Sequence, residues 1–153
     1  MIMEITNRYM QVLRIVTVAV MILTGIVAAN AQEELHINKI FERYGHEKNC
    51  KLVVTHNMKL RQYKLKVYKA LVYKKRKIDI DTYLNEDRKN AKKIREVVDN
   101  GKIVSGYYMM QSKEEGMNRY ILFSKVYENE GAVIYIEGPL SPDDIMKLCY
   151  HGF

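Results

Sequence analysis

Apolar and polar positions fall into blocks whose spacing changes along the chain. The first block is an apolar run at 15–27, preceded by Arg8 and Arg14 and followed by Ala29-Asn30-Ala31. It is shorter than the roughly 20 residues of a spanning helix, and small residues close it at alternate positions, as in a cleavable secretory leader. Residues 1–31 therefore read as a signal peptide, cleaved after Ala31 to leave Gln32 first, and 32–153 as one exported domain. No cysteine lies at the junction to take a lipid, so no membrane anchor is expected after processing.

Past the leader, Ile37, Ile40, Phe41 and Tyr44 recur at helical spacing, with Gly45 placed to end the helix. Alternation then replaces that period. Residues 50–56 and 63–73 predict two strands, the second with lysines alternating with β-formers. Over 79–100, Leu84, Ala91, Ile94 and Val98 fall on one side of a long helical pattern, and Asn100-Gly101 suits a left-handed C-cap. Three further strands are expected at 102–111, 119–127 and 132–137, joined by short glycine-containing turns. Ser141-Pro142-Asp143-Asp144 opens a last helix: a serine cap, proline in the first turn, and acids facing the positive end of the dipole. Ile145, Leu148 and Cys149 take its inner side. The resulting order is α-β-β-α-β-β-β-α, which predicts an α+β two-layer domain with a largely antiparallel sheet.

Several segments, taken in order, resemble a known family. They are Ala31-Gln32-Glu33-Glu34-Leu35, Ile40-Phe41-Glu42-Arg43-Tyr44-Gly45, Tyr68-Lys69-Ala70-Leu71, Ser105-Gly106-Tyr107-Tyr108, Asn118-Arg119-Tyr120-Ile121-Leu122-Phe123, Ile134-Tyr135-Ile136-Glu137-Gly138 and Ser141-Pro142-Asp143-Asp144-Ile145. The chain resembles a domain-of-unknown-function family of small exported, signal-peptide-bearing proteins from gut Gram-negative anaerobes. The resemblance implies an envelope location. It carries no catalytic residue and no cofactor.

Charge narrows the choice of partners. The 153 residues carry a formal net charge of +7. Between positions 59 and 77 lie Lys59, Arg61, Lys64, Lys66, Lys69, Lys74, Lys75, Arg76 and Lys77 with no acid, interleaved with Tyr63, Tyr68 and Tyr73. Cations between aromatic rings can hold anionic polymers or head groups by charge and stacking. Alternation puts Lys64, Lys66 and Lys74 on one side with Tyr68, and that row is the candidate anion contact. The competing reading is a solvated face whose lysines guard a sheet edge. In an exported protein the anion is expected to be a lipid, glycan or protein of the envelope rather than nucleic acid.

Little else carries chemistry. His46, Cys50 and His56, with His36 upstream, match no familiar zinc spacing, and a strand running from Cys50 to His56 is about 20 Å long. Glycine-rich phosphate loops and hydrolase elbows are absent from the sequence. Cys50 and Cys149 are a candidate disulfide, since a closed loop of about 100 residues is worth roughly 4–5 kcal/mol; burial as two separate thiols is the alternative. Paired acids at Asp79/Asp81, Glu114/Glu115 and Asp143/Asp144 all suit turns and helix starts. The expected function is a non-enzymatic cell-envelope binding or interaction protein without a cofactor, contacting an anionic partner through the basic second strand. The alternative is a hydrolase of an envelope polymer, which needs two carboxylates facing each other across a pocket.

Overall fold

A computed structural model describes residues 34–151, so the expected leader lies outside the described residues. Three helices, α1 (Asn38–Tyr44), α2 (Ile80–Lys89) and α3 (Pro142–His151), accompany six strands: β1 (Cys50–Leu60), β2 (Tyr63–Tyr73), β3 (Lys92–Asp99), β4 (Lys102–Met110), β5 (Asn118–Tyr127) and β6 (Glu130–Gly138). The strands form one antiparallel sheet in the order β1-β2-β6-β5-β4-β3.

The helix expected over 79–100 is corrected. Only its first half is helical; after Asn90 the chain becomes β3. Ile94, Val97 and Val98 are β-branched and lose rotamer freedom in a helix, whereas β4 pairs with this stretch from Lys92 to Asp99, with irregularities at Ile94 and between Val97 and Val98. Asn100-Gly101, expected as a C-cap, is a two-residue hairpin turn with φ of 48° and 74°, closed by the pairing of Asp99 with Lys102. Both uses draw on the same left-handed preference, which is why the sequence alone admits either.

Central β5 decides the layering. Tyr120, Ile121, Leu122 and Phe123 are all at most 3% exposed, so this strand is apolar on both faces. Ile121 and Phe123 join Leu71, Tyr108, Val133 and Tyr135 in a cluster with the residues of α1 and α2. Tyr120 and Leu122 join Ile136 and the residues Ile145 and Leu148 of α3. Helices thus pack with both faces of the sheet, and the two-layer expectation is corrected: it assumed one solvated face, whereas alternate residues of β5 have different apolar partners.

The helix starts are local. Asp79 caps α2 by accepting from the Thr82 backbone N–H at 3.4 Å, and it also accepts from the Thr82 hydroxyl at 2.7 Å. Ser141 Oγ accepts from the Asp144 N–H at 3.2 Å while Asp144 accepts from the Ser141 N–H at 2.8 Å, a reciprocal cap that sets the first turn of α3. By contrast, α1 has only seven residues and no side-chain cap of its own. Buried Asp87 of α2 supplies one, accepting from the backbone N–H groups of His36 at 3.0 Å and Ile37 at 2.8 Å.

Candidate cationic groove at the β1–β2 hairpin

β1 and β2 are joined by Arg61 and Gln62, with Arg61 at φ 54°, and their pairing runs from Cys50–Tyr73 to Leu60–Tyr63. One step is missing. Asn57 has φ 51° and does not pair with Lys66, although the pairs on either side keep one register. A left-handed residue inside a strand turns the following side chains over. Val67, Leu71 and Tyr73 accordingly pack in the α1/α2 cluster, while Leu65 and Tyr63 pack in the α3 cluster with Tyr68.

That switch breaks up the expected row. Lys66 reaches the face of Val67 and binds Glu114 and, at 3.2 Å, Glu137. Hydrogen bonds donated to Glu114 first and to Glu137 second raise the Lys66 pKa. Tyr68 is half-buried on the other face, opposite Ile136, and burial raises its phenol pKa. Lys74 stands ten positions beyond Lys64, roughly 33 Å along the strand, and lies 3.6 Å from Glu130. Further along, Arg76 pairs with Glu47 and Lys77 with Glu128, so acids from neighbouring turns answer much of the basic run.

Lys59 and Lys64 are different. They are directly opposite each other across the hairpin, a like-charge pairing that weakens a sheet. Among the described residues neither has an acidic partner. With Lys66 and its partner Glu114 they line an open groove of about 670 Å³ whose remaining wall includes Met58, Leu65, Met117 and Pro139. The two unanswered lysines beside an apolar wall can hold an anionic group that carries apolar atoms.

Behind Lys66 the charges are buried. Glu137 is opposite Arg119 in the β5–β6 ladder and accepts from the Tyr135 hydroxyl at 3.0 Å. Burial, then the charge of Glu137, raises the Tyr135 pKa. Arg119 Nε donates to the Gln111 carbonyl at 2.7 Å. From the sequence Glu114 was only a turn acid, and the role of Glu137 was missed, although an acid ending the run Val133-Ile134-Tyr135-Ile136 was a visible signal.

Cys50 and Cys149 are free. The candidate disulfide is corrected by their placement: Cys50 begins β1 and packs with the α1/α2 cluster, and Cys149 packs with the α3 cluster on the other side of the sheet. Burial raises both thiol pKa values, with Tyr107 holding a hydrogen bond to Cys149. Two thiols should titrate under denaturing, non-reducing conditions, and in the folded protein both should react more slowly than an exposed thiol near pH 8. A count of zero thiols would contradict this placement.

Among the described residues, no group of three or more His, Cys, Asp and Glu is arranged to hold a metal ion, and no helix is long and apolar enough to cross a membrane. His36 instead lies with Nδ1 3.3 Å from Asp87. No curated protein and no solved structure matches the chain. Its residues 24–149 match the family of unknown function DUF6108, and the chain belongs to that family.

Proposed function

We propose that this is an exported, non-enzymatic binding protein of the cell envelope that grips an anionic partner in the hairpin groove, with Lys59 and Lys64 as the contacting cations and Lys66 held beside them. The observation that carries this reading is the direct opposition of Lys59 and Lys64 without an acid between them. An anion bridging the two removes their repulsion, so binding gains twice from the same pair. Met58 and Leu65 on the groove wall favour an anion with apolar atoms, such as a lipid head group with its glycerol and first methylenes. The leader pattern at 1–31 supports export, and an exported domain meets such surfaces.

The test is co-sedimentation with anionic and neutral vesicles across a salt series, comparing the wild type with Lys59→Gln/Lys64→Gln and with Lys74→Gln. At about 1 kcal/mol per cation near an anionic surface, the double variant should bind roughly 30-fold more weakly, and salt should weaken the wild type steeply. Lys74→Gln should bind nearly as the wild type does, because that lysine is remote from the groove. Equal binding by the wild type and the double variant would overturn the assignment.

A further inference from the structure

A second depression, of about 840 Å³, opens at the opposite end of β2 from the hairpin turn, between α2, the start of β4 and the end of β5. Three charged side chains meet there. Lys125 of β5 donates to one oxygen of Asp81 at 2.7 Å, and Arg88 of α2 donates to the other at 3.1 Å. The two cations are largely enclosed, 24% and 19% exposed, whereas Asp81 is 40% exposed. Each cation is also held without Asp81: Lys125 lies 5.6 Å from the centre of the Phe123 ring, and Arg88 bonds to Asn85. The clamp is therefore built into the fold, and the carboxylate it grips is the member free to swing away.

We propose that this cleft binds a small organic anion through a carboxylate or phosphate group, with Arg88 and Lys125 as the clamp, and that Asp81 occupies the clamp in the unliganded protein. Two donors converging on separate oxygens of one group is the recognition geometry of carboxylates and phosphates. The other two acids of the cleft, Asp79 and Glu128, each have a partner of their own. Asp79 accepts from Thr82, and Glu128 is 2.6 Å from Lys77. Lys102 lines the same cleft, where its charge, after that of Lys77, helps hold the Glu128 carboxyl below the usual range. The lining carries four cations, Lys77, Arg88, Lys102 and Lys125, against three carboxylates, Asp79, Asp81 and Glu128, so once Asp81 turns out to water an incoming anion meets an excess of positive charge. Asp81 sits in the first turn of α2, where the helix dipole still favours its charge once it has turned to water. The volume is that of a site for a small molecule rather than a polymer. This cleft and the hairpin groove share no residue, so either assignment stands without the other.

The experiment is isothermal titration of the full chain with inorganic phosphate and, separately, with succinate, at constant ionic strength set with chloride. Saturable binding is expected in the wild type. Asp81→Asn removes the internal competitor and should tighten it about tenfold, the effect of one charge-assisted bond. Arg88→Gln/Lys125→Gln should abolish saturable binding while circular dichroism reports an intact fold. Lys102→Gln should weaken it several-fold, which keeps the proposal decidable if Asp81→Asn does not fold. Lys59→Gln/Lys64→Gln should leave it unchanged. Tighter binding of phosphate than of succinate identifies a phosphorylated ligand, and the reverse order a carboxylate. Binding that is absent from both the wild type and Asp81→Asn, or that persists in Arg88→Gln/Lys125→Gln, would overturn the proposal.

Discussion

Asp87→Ala should lower the stability of the domain by about 2–4 kcal/mol, seen as a fall of roughly 10–15 °C in the thermal midpoint by circular dichroism. The carboxylate is buried, and its two oxygens take the backbone N–H groups of His36 and Ile37. Without it both donors are left unanswered at the start of a seven-residue helix, which is too short to persist alone. The loss would spread, because Ile37, Ile40, Phe41 and Tyr44 enter the core through this segment. Asp87→Asn keeps one acceptor oxygen and should show a smaller fall. Hydrogen exchange should place the first loss of protection in α1. A midpoint within about 2 °C of the wild type would mean that packing alone holds α1 in place.

Leu122→Ala and Phe123→Ala should both be severe, about 2–5 and 3–5 kcal/mol respectively, measured by urea unfolding. In a sheet with one wet face, adjacent positions on a strand differ sharply, one tolerant and one not. Here Leu122 packs with Ile136 and α3, and Phe123 packs with Tyr108 and the α1/α2 cluster, so neither position has water to face. Against a typical total of 5–15 kcal/mol, the double substitution should leave little folded protein. Near-neutral behaviour of Leu122→Ala would mean that α3 does not cover its face in solution.

Local signals read reliably from the chain. The reciprocal cap of Ser141 and Asp144, the Asp79 cap, the apolar stripe of α1 and the extent of β2 all depend on residues within a few positions of one another, and each formed as expected. Legibility stopped where two local readings had similar merit. The stretch after Asn90 has helical spacing and β-branched content together, and the vacant edge of β4 settled it, although nothing within 79–100 marks that edge. The cleft was no more legible: Asp81, Arg88 and Lys125 are ordinary surface residues in sequence, and α2 and β5 must dock before they meet.

The basic run shows the division most clearly. Composition alone determined that positions 59–77 would be densely cationic, and alternation alone put Lys64, Lys66 and Lys74 in one row with Tyr68. Which of those charges remain unanswered was decided in three dimensions. Glu47, Glu114, Glu128, Glu130 and Glu137 come from other segments and pair with Arg76, Lys66, Lys77 and Lys74, while the left-handed turn at Asn57 divides the row between two faces. Hydrophobic period and helix caps act over a few residues, so a sequence encodes them directly. Coulomb pairing and strand docking act between segments far apart in the chain, and only the assembled sheet brings those partners within range.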